Sequence, residues 1–376
     1  MASGTFNSWV YRVIIAFLAG SFLIALFYSI DFEKQTLQSE VRCKTEQPIQ
    51  FERVGEKDES GCKWNFVRYD SSPWEMEWRN NVKSWSDPSK GMLICNIMKE
   101  KMDLIQKWEK GALGSIQECG GFDSRLMVEP YNEVFSKIWY QNSCTQEEKA
   151  TAIEPIVGLI RHPRAVCISK KYVENRDYLI IGLVNPTCPF LSDLSLPAMN
   201  PGPDNFIYIF DLGASYYTSG GGGTSQKWFI DTLSNHGYKK VEYFGWEAKP
   251  LSAEKVWQQV PDHLKPHYRW MNIPANPDPA SGDNPWNFLK ANVKVEDYVI
   301  VKLDIDNTPI EAKFMEQIVN DSKLSALIDE MFFEHHVNVN PMNSYWHTQK
   351  ETTYLSDSYD LMVGLRQRGI RFHGWP

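Results

Sequence analysis

An apolar run ending in an acid and a glycine constrains this chain more than any other feature. Phe206-Ile207-Tyr208-Ile209-Phe210 leads into Asp211-Leu212-Gly213-Ala214-Ser215. A strand without polar alternation is buried on both faces, the condition of a parallel strand in a sheet covered by helices. Gly213 permits a tight turn beneath a ligand, the run Gly220-Gly221-Gly222-Gly223 leaves backbone NH groups uncovered, and Gln226 to His236 has helical spacing. A second run, Val241 to Glu247, places a carboxylate about thirty residues past the turn. An acid there can accept hydrogen bonds from both ribose hydroxyls of a dinucleotide or of S-adenosylmethionine. Tyr216 and Tyr217 stand where a G-x-G-x-x-G turn would carry glycine, which argues against NAD.

From Asn205 onward, predicted strands and helices alternate, the pattern of a doubly wound α/β sheet of Rossmann-like type over residues 204–376. After Glu247 the pattern gives a helix at Ser252 to Val260, a strand at Tyr268 to Ile273, a helix at Pro285 to Lys290 and a strand at Tyr298 to Leu303. A helix from Pro309 to Asn320, a strand from Ile328 to His335, a helix around Asp357 to Arg368 and a strand at Ile370 to His373 follow. Ligands in such sheets gather at the carboxyl ends of strands. Asp211, Glu247, Asp304, Asp306 and Glu334 all fall at those ends.

The first half reads differently. Val13 to Ile30 carries no charge and at 1.5 Å per residue spans roughly 27 Å as a helix, the hydrocarbon thickness of an ER-type bilayer. Trp9, Tyr11 and Tyr28 flank it as interfacial aromatics, and Arg12 favours a cytoplasmic N-terminus. The expected organisation is a tail (1–12), a single membrane anchor in contact with lipid (13–30), a polar stem (31–60), a Cys/Trp-rich mixed α+β region with a Pro-rich linker (61–203) and the Rossmann-like domain. Helical spacing appears at Met92 to Trp108 and at Tyr131 to Tyr140. All seven cysteines precede the second half without a C-x-x-C pair, which suits up to three disulfides in an ER or Golgi lumen; reduced thiols facing the cytosol are the rival. Asn320-Asp321-Ser322 is the one glycosylation sequon, so its occupancy reports the topology. A net charge of -8 without basic blocks excludes a nucleic-acid footprint.

The residues from about Asn205 to His336 resemble the FkbM-type branch of S-adenosylmethionine-dependent methyltransferases. That family ends its first strand in D-V-G-A-N, a following strand in E-P, and a later one in K-x-D-V-E-G. The matching segments here are Asp211-Leu212-Gly213-Ala214-Ser215, Glu247 with Pro250 displaced, and Lys302-Leu303-Asp304-Ile305-Asp306-Asn307. Tyr217 replaces the family's later glycine, and Asp306-Asn307 replaces its acidic-glycine pair. The resemblance implies a class I methyltransferase-like fold in which Asp211, Gly213, Ser215 and Asp304 line the cofactor and Glu247 holds its ribose.

Methyl transfer to oxygen is an in-line displacement that needs alignment and the removal of one proton. Asp306, His335 and His336 are the candidates for that chemistry, with a glycan or small molecule as acceptor. Asp304-x-Asp306 also admits a lumenal glycosyltransferase with a divalent metal on Asp304, Asp306 and Asn307, holding a sugar nucleotide. The same residues fit a metal-assisted methyltransferase, or a capped turn before the helix beginning at Pro309. A non-catalytic membrane-anchored binding protein on the same scaffold is the third class.

Overall fold

The computed structural model describes residues 64–85, 87–90, 124–156, 178–183, 206–218 and 225–375, with Leu93, Asn96, Lys99 and Arg176. The anchor, the stem, the Pro-rich linker and the glycine run lie outside these residues. Among the described residues no helix is long and apolar enough to cross a membrane.

The Trp-rich region builds a small antiparallel sheet. Strands β1 (Trp64–Asp70), β2 (Ser136–Asn142) and β3 (Glu148–Ile153) pair in the order β1-β2-β3, and helix α1 (Pro73–Trp85) follows β1. Trp64, Trp74 and Trp78 are buried, so the tryptophans serve as core. The helix expected over Tyr131 to Tyr140 is instead a short 3₁₀ turn, Tyr131–Glu133, followed by β2. Burial along β2 alternates strictly, with Ser136, Ile138, Tyr140 and Asn142 inward. The period of two and the β-branched and aromatic content override the helical reading. Cys144, in the turn after β2, is disulfide-bonded.

The second half forms one parallel sheet. Strands β4 (Ile207–Leu212), β5 (Val241–Trp246), β6 (Tyr268–Met271), β7 (Tyr298–Leu303), β8 (Glu330–Phe333) and β9 (Arg371–Gly374) lie in the order β6-β5-β4-β7-β8-β9. Counting β4 as first, this is 3-2-1-4-5-6, the Rossmann order, whose direction reverses between β4 and β7. Every residue of β7 is buried. Between the strands run α2 (Ser225–Asn235), α3 (Ala253–Gln259), α4 (Pro285–Asn292), α5 (Thr308–Asn320), α6 (Ser322–Ala326), α7 (Asn340–Trp346) and α8 (Leu355–Arg366). Their starts are written locally. Asn284 accepts from Trp286 N (2.8 Å) with Pro285 opening α4, and Asp321 accepts from Lys323 N and Leu324 N to begin α6.

Two buried arginines join the sheets. Arg371 in β9 reaches Thr151 Oγ1 (3.0 Å), Ala152 O (3.0 Å) and Ile180 O (2.7 Å) and pairs with Glu330 at 3.1 Å. Arg366 donates to Glu154 O, Phe372 O and the Tyr69 hydroxyl. His373 Nδ1 meets Glu154 Oε1 at 2.5 Å. Burial alone would raise the Glu154 pKa, but the His373 charge and hydrogen bond, with Arg366 beside them, outweigh it and hold the carboxyl at about 2.

Glu154 therefore contributes stability in full above its unfolded value of 4.5, and that contribution is lost as pH falls toward 2. Glu154→Gln is expected to lower unfolding free energy by about 3 kcal/mol at pH 7. The difference from wild type should close between pH 4.5 and 2 in urea titrations. A gap independent of pH would refute the pairing.

Candidate functional site

The parallel register brings the strand ends level. Leu212 pairs with Trp246 and with Leu303, and Leu303 with Phe333. The residues just beyond continue the ladder: Gly213 N donates to Trp246 O, Asp304 N to Leu212 O, Glu247 N to Met271 O and Glu334 N to Leu303 O. Gly213, Glu247, Asp304 and Glu334 thus stand in a row along the carboxyl edge, across the point where strand order reverses.

Lys302, fully buried near the carboxyl end of β7, organises the centre of that row. Its Nζ lies 3.4 Å from Asp211 Oδ1 and 3.1 Å from Asp304 Oδ2, and donates to Gly213 O at 2.8 Å. Burial opposes the Lys302 charge, but Asp304 and Asp211 raise its pKa, and in return Lys302 lowers Asp304 against its own burial. Asp211 Oδ2 accepts from Ser225 Oγ (2.5 Å) and Tyr243 OH (2.8 Å). Asp211 is therefore enclosed and anchors the turn to α2 and β5. Gly213 has φ +87°, and a Cβ there would stand 1.7 Å from Asp304 O. The turn needs glycine to pass the β7 backbone.

Glu247 closes the other side of the turn. Ser215 N donates to Glu247 Oε2 (2.9 Å) and Lys249 N to Oε1 (2.7 Å), with Ser215 at φ 52°. These bonds use two of the roughly four acceptor sites of a carboxylate, leaving the others open. Buried Gln226 supports the turn by donating to Ala214 O and Ser215 O and accepting from Tyr268 OH.

Past β7 and β8 the polar groups cluster. Asp306 sits at φ 55° with its side chain 86% exposed. Asn307 is turned to capping α5, its oxygen accepting from Ile310 N at 3.3 Å. His336 Nε2 stands 3.3 Å from Glu334 Oε2 and 3.9 Å from Asp306 Oδ1, and its ring stacks on Trp346, whose Nε1 donates to Glu334 Oε1 (3.1 Å). Buried Glu311 from α5 accepts from Ile305 N between the two aspartates. Burial pushes Glu311 up to about 7. Burial and the Asp304 charge push Glu334 to about 7 as well, and Asp304 and Glu334 share a hydrogen bond. The Glu334 carboxylate raises His336 against its burial.

The sequence-predicted residues fall into three groups. Asp304, Asp306 and His336 come together, with Glu334 among them. Asp211, Gly213, Ser215 and Glu247 form the turn, with Asp211 enclosed by protein. His335 engages elsewhere: it stacks on Phe333 and its Nδ1 meets Ser358 Oγ at 3.0 Å, while burial and the His336 charge lower it to about 4. Sequence reasoning missed Glu311 and Gln226 as parts of the site. Glu311 carries one available signal, an acid in the first turn of a helix whose other inward residues are apolar.

Lys302→Met leaves Asp211 and Asp304 without their buried counter-charge. A loss of about 3–5 kcal/mol in denaturant titrations is expected, with part recovered by adding Asp211→Asn. A variant within about 1 kcal/mol of wild type would contradict the role given to Lys302.

No protein-family model, curated protein or solved structure matches the chain, so the chemistry of this edge is argued from its geometry alone.

Proposed function

We propose that this chain is an S-adenosylmethionine-dependent O-methyltransferase, related to the FkbM type, held at a membrane by residues 13–30. Its acceptor would be a hydroxyl or carboxylate of a glycan or small molecule. The observation that carries this reading is Glu247 at the end of β5, hydrogen-bonded to Ser215 N of the first turn in a sheet of order 3-2-1-4-5-6. That places a partly open carboxylate beside the turn where a nucleoside ribose would lie. The disulfide-bonded Cys144 and the exposed Asn320 of the sequon suit a lumenal setting.

Bound S-adenosylmethionine would supply a sulfonium methyl, whose C–S bond breaks as the C–O bond to the acceptor forms and the acceptor proton is released. The chain's part is placement. Gly213, Ser215 and Glu247 fix the nucleoside side, and Asp306, Glu334 and His336 form the polar wall that the acceptor meets. Such alignment supplies a large share of the barrier reduction.

A sugar-nucleotide transferase is the second reading, favoured by the acidic cluster at the same edge. Its metal would not rest on Asp304 and Asn307, which are engaged with Lys302 and with the α5 cap.

Calorimetric titration of the detergent-solubilised full chain with S-adenosylhomocysteine tests the reading. Binding is expected, and Glu247→Ala should weaken it by 1.5–3 kcal/mol, about ten- to a hundred-fold. No binding to wild type would defeat methyl transfer. Binding of a nucleoside-diphosphate sugar with Mn²⁺ in its place would support the second reading. Equal affinity in Glu247→Ala would refute only the ribose contact.

A further inference from the structure

We propose that Asp306, Glu334 and His336 form a binding site for a divalent first-row metal ion, with Glu311 as a supporting carboxylate behind it. One donor atom from each of the three lies within 4.8 Å of the others. Donors about 2.1 Å from a common ion stand about 3.0 Å apart when adjacent and about 4.2 Å apart when opposed. His336 Nε2 is already 3.3 Å from Glu334 Oε2 and 3.9 Å from Asp306 Oδ1. Only the exposed Asp306 side chain has to swing inward to close the set.

Two buried atoms in the cluster point to a missing partner. His336 is 6% exposed, and its Nε2 makes no hydrogen bond despite facing two carboxylates. Glu311 is 1% exposed, and its Oε2 also has none, although its other oxygen is fixed beneath the Asp304–Asp306 turn by Ile305 N. Charge points the same way. Asp306, Glu311 and Glu334 surround His336, while the nearby Lys302 ammonium is spent on Asp211 and Asp304. Buried carboxylates need a counter-charge, and a dication provides one.

The ligands are also held ready. Trp346 stacks on the His336 ring and donates to Glu334 Oε1, leaving Oε2 turned toward His336. Such outer contacts orient metal ligands. One imidazole and two carboxylates suit Mn²⁺, Fe²⁺ or Zn²⁺ better than Ca²⁺ or Mg²⁺, which prefer all-oxygen shells. Coordination positions not filled by protein would be open to an acceptor oxygen, which would then lose its proton more readily. That last role rests on the transferase reading above, whereas binding of the ion does not.

The test is Mn²⁺ titration of the full chain by electron paramagnetic resonance, with no nucleoside present. One ion per chain is expected, with nitrogen coupling in the spin-echo signal from the His336 ring. His336→Gln should abolish that coupling. Glu334→Gln and Glu311→Gln should each weaken binding about ten- to a hundred-fold. Zn²⁺ should displace Mn²⁺, and equal Mg²⁺ should not. Asp306→Asn, at an exposed side chain and therefore safe for folding, should weaken binding at least tenfold. Absence of Mn²⁺ binding or of nitrogen coupling in wild type would overturn the proposal, as would unchanged affinity in Asp306→Asn. Mn²⁺ binding by a chain that ignores S-adenosylhomocysteine would uphold the metal site while defeating methyl transfer.

Discussion

The buried ammonium of Lys302 is the constraint on which the carboxyl edge of the sheet depends. A charged side chain in a strand buried along its whole length is expensive unless its partners are arranged around it. Here the partners are Asp211 from the neighbouring strand, Asp304 just past the end of its own, and the carbonyl oxygen of Gly213. Meeting that demand fixes the first turn against β7. Since Ser215 then reaches Glu247, the position of the acid on β5 follows from a cation two strands away. The edge is held by electrostatics at its centre and presents free carboxylate capacity on either side.

A second charged system does comparable work between the sheets. Arg366 and Arg371 satisfy backbone carbonyls of the small antiparallel sheet and of the segment around Ile180 while pairing with Glu154 and Glu330. Main-chain oxygens of irregular segments must find donors when buried. The arginine forks supply several at once, so the Trp-rich region closes over β8 and β9 as part of the same folded unit. The residues that carry it lie far from Glu247 in sequence, yet they hold the strand that delivers Glu334 and His336.

The parallel sheet was readable because its strands are short, apolar and separated by helices of ordinary length. Five of the acids at strand ends could be named from that pattern alone. What could not be read was how each side chain is employed. Asp211 and Glu247 look equivalent in sequence, but one is walled in by Ser225, Tyr243 and Lys302 while the other keeps acceptor capacity. His335 and His336 are neighbours, and the one-residue alternation of an extended chain sends one to Phe333 and Ser358 and the other to the acids. For Asn307 the sequence left a metal ligand and a capped turn equally open, and it is a helix cap. Tyr131 to Tyr140 was misread because apolar residues three and four apart are common to a helix and to an alternating strand interrupted by a turn. Each of these distinctions depends on tertiary neighbours that local periodicity does not encode.

Asp306 adopts a left-handed backbone conformation that glycine would occupy with less strain. Its side chain is mostly outside the protein, so it gains little from packing in return. A laboratory selection for heat resistance alone should therefore enrich glycine at this position early, and do so silently as far as folding is concerned. Under the proposed metal site, a selection that requires the bound ion should keep the acid. On that proposal, position 306 is a place where survival of the fold and binding of the ion pull the sequence in opposite directions.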